Sequence, residues 1–114
     1  MSLVSIIIPF KNPGKYFKPC LESIRNQSYQ NIEVLMIDDH SNYDDAEVAR
    51  MAQIKDKRFQ LYRSNGPGII NALQTGLNLA KGEFISRMDA DDLMTKDKIE
   101  LMRSALLKSN QKSV

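Results

Sequence analysis

The stretch "LVSIIIPF", residues 3–10, decides the fold, because its apolar part is nearly unbroken from Leu3 to Ile8. Runs of this kind, rich in Val and Ile, are typical of strands that are buried on both faces, as in a parallel sheet. A second such run covers Ile32 to Ile37, and shorter apolar runs cover Phe59 to Tyr62 and Phe84 to Met88. The sequence therefore predicts four short strands.

The segments between these runs have helical spacing. Apolar residues three or four positions apart form one stripe in each of three segments. These stripes are Tyr16, Phe17, Cys20, Leu21 and Ile24; Ile69, Leu73, Leu77 and Ala80; and Ile99, Met102 and Leu106. A weaker helix fits Asp45 to Ile54, and Thr95 is a candidate N-cap for the last helix. Strands that alternate with helices predict an α/β fold with right-handed crossovers and a mainly parallel sheet that carries helices on both faces.

Length and composition indicate one ordinary globular domain over residues 1–114. Apolar residues make up 42% and charged residues 26%, and the net charge of +2 is too small to predict a nucleic-acid partner. The single cysteine, Cys20, allows no internal disulfide, which fits a reducing cytosol. No apolar run approaches the roughly 20 residues of a membrane span. We therefore expect a cytoplasmic domain, whose attachment to the inner face of a membrane would need parts outside this chain.

The segments that directly follow the four runs are the first place to look for a site. In an open parallel sheet, ligands bind outside the carboxyl ends of the strands. The four segments are "PFKNPG", "DDHSN", "RSNGPG" and "DADD". All four are expected on one rim of the sheet, and two of them are acidic.

The "DADD" segment places Asp89, Asp91 and Asp92 close together. Neighbouring carboxylates repel one another, and a divalent cation removes that penalty. Mg²⁺ and Mn²⁺ prefer oxygen ligands, and Mg²⁺ is usually held by one or two carboxylates together with substrate phosphates. Two interpretations remain open on spacing alone. The carboxylates form a metal–phosphate site, or Asp91 and Asp92 cap the last helix and face water; the position after a buried strand favours the first.

The second acidic segment contains Asp38 and Asp39, of which one is expected to accept from loop amides and the other from a base or ribose. Gly68 allows close approach to a helix N-terminus. The motifs G-x-G-x-x-G and G-x-x-x-x-G-K-[ST] do not occur after a strand, so a classical dinucleotide fold and a P-loop are unsupported. A Ser-His-Asp or Cys-His site is also unsupported, because Cys20 lies on a helical stripe and His40 is the sole histidine.

The stretches "VSIIIPFKN", "LESIRNQSYQNIEVLMIDDHS" and "GLNLAKGEFISRMDADD" resemble the nucleotide-binding half of the family 2 glycosyltransferases, the inverting GT-A type. The resemblance runs from Val4 to about Leu107 and rests on three motifs in the family's order and spacing. It implies a strand order of 3-2-1-4. It also implies a nucleotide-diphosphate sugar as the donor, with UDP as the first expectation, and Mn²⁺ or Mg²⁺ as the cofactor.

The resemblance also implies roles for single residues. The segment at Pro9 lines the base pocket, Asp39 holds the base, Asp89 lies near the ribose, and Asp91 binds the metal, with Asp89 as a second candidate ligand. The implied nucleotide-binding residues are Pro9, Phe10, Asn12, Asp38, Asp39, Gly68 and Asp89. Phe10 and Lys11 stand where the family often has Thr-Tyr, whose Tyr stacks on the base.

Family members continue for roughly as long again, so the resemblance implies that the chain is the front part of a longer enzyme. That enzyme would transfer a hexosyl-type sugar with inversion to a saccharide or lipid-linked acceptor, as in polysaccharide biosynthesis. The catalytic base is expected in the other half, so no catalytic residue is expected in this chain, which alone would be inactive. Two alternatives are a receiver-type phosphoacceptor domain, suggested by "LMIDDHS", and a non-catalytic sugar-nucleotide-binding module.

Overall fold

The computed structural model describes residues 2–109, in which strands and helices alternate. The order is β1 (Val4–Phe10), α1 (Phe17–Arg25), β2 (Ile32–Asp38), α2 (Tyr43–Lys55), β3 (Phe59–Arg63), α3 (Ile69–Leu79), β4 (Phe84–Arg87) and α4 (Lys98–Ser109). A short 3-10 turn, Gly14–Tyr16, precedes α1. In residues 2–109 no helix is long and apolar enough to cross a membrane.

The four strands form one parallel sheet in the order β3-β2-β1-β4. β1 pairs with β2 along its whole length, from Val4 opposite Ile32 to Phe10 opposite Asp38. It pairs with β4 over four residues only, the last of which is Ile7 opposite Arg87. The predicted fold class and the strand order implied by the resemblance are therefore confirmed.

Alternate residues of each strand enter two separate apolar cores, because successive side chains point to opposite faces of a sheet. Ile6 and Ile8 of β1 belong to the larger core, which α1, α2 and α4 cover. Ile7 lies on the other face, in a smaller core that α3 covers. Since both faces are covered, the seven residues of β1 are all buried, and the one polar side chain among them, Ser5, donates a hydrogen bond to Glu33.

The predicted apolar stripe of α3 is wrong for two of its four members, whereas Leu73 and Ala80 do pack against the smaller core. Ile69 and Leu77, two of its members, are 46% and 48% exposed. The buried residues of this helix are small: Ala72, Thr75 and Gly76. A Cβ atom at Gly76 would clash with the side chain of Ile7, so α3 can pack this closely on β1 only through small residues.

Two predicted element boundaries also differ from the structure. β1 continues to Phe10 instead of ending at Ile8, and so includes Pro9. The amide of Val4 faces β2, so alternation turns the missing N–H of Pro9 towards β4, beyond the last β4 pair. No ladder hydrogen bond is lost there, which explains how the sheet tolerates this proline. The helix α4 begins at Lys98, so it starts beyond its suggested N-cap, Thr95.

Candidate functional site

Two clefts meet at the carboxyl end of β1, on the rim where the sequence predicts a site. Both are lined by Pro9, Phe10 and Lys11. The larger cleft, about 570 Å³, is also lined by Asn12, Pro13, Tyr16, Asp89, Ala90 and Asp91. The smaller cleft, about 290 Å³, is also lined by Asp39, Gly68 and Ile69. The structure thus brings all the predicted site residues to these clefts, except Asp38, which lines neither.

The last residues of β1 and β2 and the segments that follow them, residues 10–12 and 38–42, are cross-linked by hydrogen bonds; we call them the cross-bonded arm. The amide of Asn12 donates to Ser41 Oγ at 3.0 Å, and the amide of Asn42 donates to Asn12 Oδ1 at 2.8 Å. Ser41 Oγ in turn donates to the carbonyl of Phe10 at 3.2 Å. The backbone amide of Ser41 donates to Asp38 Oδ1 at 2.8 Å. Asn12 and Asp38 therefore use polar side-chain atoms to shape this arm.

Asp39 connects the cross-bonded arm to the start of α3. Its side chain is buried, and its Oδ1 accepts a hydrogen bond from the amide of Gly68 at 3.1 Å. Gly68 has a φ of +92° and lies directly before α3, a conformation that favours glycine. His40 Nδ1 lies 3.4 Å from the same Asp39 oxygen. One acid was expected to accept from loop amides, whereas both Asp38 and Asp39 do so.

The ring of Phe10 belongs to the core and does not point into a cleft. Phe10 is 2% exposed, and its ring centroid lies 4.6 Å from that of Phe17. It can therefore contribute only backbone atoms to the clefts. The aromatic side chain available in the larger cleft is Tyr16, which is 54% exposed. Sequence reasoning placed Tyr16 on the buried stripe of α1, but that helix begins one residue later, so Tyr16 lies in the preceding turn.

The segment between β4 and α4, residues 88–97, carries the "DADD" carboxylates and is called the acidic segment. The Asp89 carboxylate is half exposed and lies 3.3 Å from Arg87 Nη2. Asp91 and Asp92 are exposed, and within residues 2–109 their carboxylates make no hydrogen bond or ion pair. Because α4 begins only at Lys98, these two aspartates do not cap it. The predicted capping is therefore wrong, whereas both aspartates do face water as that alternative expected.

The acidic segment alone does not form a complete metal site. In the described part of the chain, no group of three or more His, Cys, Asp and Glu side chains is arranged to hold a metal ion. Two carboxylates, Asp89 and Asp91, line the larger cleft. Since Mg²⁺ commonly takes one or two carboxylates and completes its shell with phosphate oxygens and water, these residues fit a cation that a bound ligand completes.

Cys20 lies beneath the acidic segment, with its Sγ 3.5 Å from the carbonyl of Asp89. Burial, and to a smaller extent the negative charges of Asp92, Asp91 and Asp89, together raise the pKa of this thiol to about 12. The thiol is therefore uncharged at neutral pH. This agrees with the prediction that Cys20 is no nucleophile.

Sequence comparison assigns the family. Residues 5–114 match the model of Glycosyl transferase family 2, so the chain belongs to this family. It is 37% identical over 101 residues to the glycosyltransferase GlyG of Streptococcus pneumoniae, a match that covers 88% of this chain and 34% of GlyG. It is also 37% identical over 113 residues to an uncharacterized glycosyltransferase of Haemophilus influenzae, covering 96% of this chain and 44% of that protein. The chain thus spans less than half the length of these relatives.

Solved structures share the fold. The structure of S. aureus TarS 1-349 in complex with UDP matches 95% of this chain and 32% of its own length, with a TM-score of 0.83 and 23% identity. A mannosyltransferase from Pyrobaculum calidifontis in complex with GDP-Man and Mn²⁺ matches 79% of this chain and 28% of its own, with a TM-score of 0.71 and 27% identity. The family and the fold together rule out the receiver-domain alternative.

Proposed function

We propose that this chain binds the donor of a glycosyl transfer, a nucleotide-diphosphate sugar with UDP as the nucleotide. The observation that carries the proposal is the pair of clefts that meet at Pro9–Lys11, with Asp39 on one side and Asp91 on the other. A nucleotide lying across this junction would have its base near Asp39 and its diphosphate near Asp91. TarS, which has the same fold, has been solved with UDP and with UDP-GlcNAc.

In this proposal Asp39 recognises the base. A carboxylate has two oxygens that each accept hydrogen bonds. One of them accepts from Gly68, which holds the side chain at the edge of the smaller cleft. The other oxygen would accept an N–H of the base. Pro9, Phe10 and Asn12 would form the wall of the site, and the exposed ring of Tyr16 offers a surface for stacking on the ligand.

Asp91, with Asp89 beside it, would hold Mn²⁺ or Mg²⁺ against the diphosphate. When bound, such a cation neutralises the charge that develops on the leaving diphosphate. Lys11 lines both clefts and would add positive charge on the opposite wall. In an inverting transfer, a hydroxyl of a saccharide or lipid-linked acceptor attacks the anomeric carbon while the bond to the diphosphate oxygen breaks. The base that takes the hydroxyl proton is expected outside residues 1–114, because GlyG is matched over only 34% of its length.

The melting temperature tests whether metal and nucleotide bind together. We expect UDP with Mn²⁺ to raise it by more than the sum of the two separate shifts, because each ligand supplies what the other lacks. Ligand at 100 times its Kd should stabilise the protein by about 2.7 kcal/mol. UMP, which lacks the second phosphate, should gain much less from Mn²⁺. Additive shifts for UDP and Mn²⁺ would contradict the proposed metal–diphosphate site.

A pair of matched variants tests the assignment of Asp91. Asp91→Asn should abolish the extra shift with Mn²⁺ and keep the weak binding of UDP without metal. Asp92→Asn makes the same charge change one residue away, and Asp92 does not line the cleft, so this variant should behave like the wild type. Equal losses in the two variants would indicate a general effect of charge instead of a ligand at Asp91.

A transfer assay separates a donor-binding part from a complete enzyme. We expect purified residues 1–114 to transfer no sugar from UDP-GlcNAc to any acceptor tried, since the base is expected elsewhere. Measurable transfer would place a base within this chain. Absence of nucleotide binding would contradict the proposal as a whole.

A further inference from the structure

The acidic segment contains no helix or strand, yet its backbone is firmly held. Ala90 and Met94 are 8% and 5% exposed, whereas the carboxylates of Asp91 and Asp92 lie in solvent. The strand β4, which leads into the segment, is an edge strand of only four residues. Besides one backbone hydrogen bond from the amide of Met88 to the carbonyl of Ile7, much of the support for the segment comes from α1 and the residues just beyond it.

Three side chains contact the backbone of the acidic segment: two from α1, Cys20 and Ser23, and one from just beyond its end, Gln27. We call these three residues the α1 anchors. Cys20 and Ser23 lie on one face of α1, and Gln27 follows two residues after the helix ends at Arg25. Cys20 Sγ lies 3.5 Å from the carbonyl of Asp89, and Ser23 Oγ accepts from the amide of Met94 at 3.0 Å. The anchors thus contact the segment on both sides of Asp91.

Gln27 makes more hydrogen bonds than either of the other two anchors. It is 2% exposed, and its amide nitrogen donates to the carbonyl of Thr95 at 2.6 Å. The same nitrogen donates to the carbonyl of Ser23 at 3.2 Å, and the amide oxygen accepts from the amide of Ile99 at 3.1 Å. Buried amides with several partners specify a single arrangement of the groups around them. Gln27 therefore joins α1, the end of the acidic segment and the start of α4.

Ser23 is likewise fixed in place. Its hydroxyl donates to the carbonyl of Cys20 at 2.7 Å, which aims its oxygen lone pairs at the amide of Met94. The amide of Ser28, just beyond the anchors, adds a bond of 2.8 Å to the carbonyl of Lys96. The contacts that do reach the acidic segment all involve its backbone atoms. None of these contacts involves the carboxylates of Asp91 and Asp92, which stay available to a ligand.

We propose that Ser23 and Gln27 are positioning residues, which hold the acidic segment in the shape that Asp91 needs to bind a divalent cation together with a nucleotide diphosphate. The inference rests on the proposed function. Ordering one backbone residue costs about 1–2 kcal/mol of conformational entropy. If the anchors order the segment in advance, less of this cost has to be met when the ligand binds. A purely structural role would lower the stability of the fold without acting on metal-dependent binding in particular.

The test compares Ser23→Ala and Gln27→Met with Tyr29→Phe. The last variant removes a buried hydroxyl that bonds to the carbonyl of Ser2, away from the rim. Calorimetry gives the Kd of UDP with and without Mn²⁺ at a temperature where each variant is folded. We expect Ser23→Ala and Gln27→Met to weaken binding in Mn²⁺ by about tenfold, the size of one buried hydrogen bond, with the metal-free Kd unchanged. Tyr29→Phe should change neither value.

Amide hydrogen exchange of the metal-free protein provides a second measurement. The amides of Asp91 and Asp92 should exchange faster in Ser23→Ala than in Tyr29→Phe. If Gln27→Met does not fold, Ser23→Ala decides the question. Unchanged binding in Mn²⁺, or an equal loss with and without Mn²⁺, would overturn the positioning role. A wild type whose UDP binding ignores Mn²⁺ would overturn the proposed metal site as well, so the two failures are distinguishable.

Discussion

The cross-bonded arm and the acidic segment face each other across Pro9, and they are built in opposite ways. In the cross-bonded arm the side chains do the bonding: Asn12, Ser41 and Asp38 bond within the arm. Asn12 and His40 even adopt positive φ values of 50° and 59°, which are uncommon outside glycine. In the acidic segment the backbone is bonded instead, and the carboxylates are left exposed.

The difference suggests that the cross-bonded arm mainly sets the shape of the cleft, whereas the acidic segment supplies groups that can bind a ligand. Polar atoms that already have partners fix the walls of a cleft, but they offer little to a ligand. Carboxylates whose backbone is held by another helix keep their charge available at a defined place. We therefore expect metal-free nucleotide binding to depend on the second carboxylate oxygen of Asp39, whose first oxygen accepts from Gly68. The acidic segment should act only when metal and diphosphate are both present.

The largest effect is expected from Gly82→Ala, two residues before β4 begins at Phe84. A Cβ atom there would lie 2.5 Å from Ser5 Oγ, 2.7 Å from Ser5 N and 2.8 Å from the carbonyl of Leu3. Two of these atoms are backbone, so the strand must shift, at a cost of about 3 kcal/mol in the free energy of unfolding measured with urea. Because β4 leads only to the acidic segment, the gain from Mn²⁺ should fall while metal-free UDP binding persists.

Gly14→Ala is the matched control for this substitution. Nothing lies within 4 Å of its Cβ position, but its φ is +64°, so about 1–2 kcal/mol is expected from backbone strain alone. Equal losses of metal-free and metal-dependent binding in Gly82→Ala would show that the two regions are not independent.

Asp39→Ala should affect the opposite region. Loss of a hydrogen bond to a charged group should weaken metal-free UDP binding by about 1.5–3 kcal/mol in a calorimetric titration. The fold should survive with lower stability, because the amide of Gly68 loses its partner. Asp38→Ala is the comparison, since Asp38 lines neither cleft. If Asp38→Ala weakens binding more than Asp39→Ala, the assignment of the base-binding carboxylate is reversed.

Asp56 provides a reference far from both regions. A hydrogen bond from the Arg58 side chain lowers the pKa of its carboxyl, and burial opposes this shift. A lowered pKa stabilises the fold above the ordinary aspartate value of about 4, and this stability is lost as the pH falls through the folded-state pKa. Asp56→Asn should therefore flatten the acid side of the stability–pH curve and leave UDP binding unchanged, with or without Mn²⁺. A pH profile identical to that of the wild type would contradict this.

The smallest effect is expected from Arg87→Ala. Its ion pair with Asp89 joins two half-exposed side chains, and such surface pairs contribute little. The free energy of unfolding should change by less than about 0.5 kcal/mol. A loss above 1 kcal/mol would mean that the carboxylates of the acidic segment are held by their side chains after all.

The comparison also explains how far each region could be predicted. The strand ends were predictable from the apolar runs, so Asp39 and Asp91 could be assigned to one rim. The face of α3 was not predictable, because close packing on Ile7 selects Gly76 over the larger Leu77, and hydrophobic spacing alone indicates the opposite. Phe10 was misassigned for a related reason: extension of β1 by two residues turns its ring into the core against Phe17.

The sequence by itself determined the alternation of strands and helices, since unbroken apolar runs can be buried only in a sheet covered on both faces. It also determined that acidic side chains follow β2 and β4. Only the tertiary structure decided which polar atoms are used within the fold. Gln27 and Ser23 read as ordinary polar residues at the end of a helix, and their partners lie about 70 positions further along the chain. Such contacts depend on how α1 packs beside the acidic segment, which no local pattern encodes.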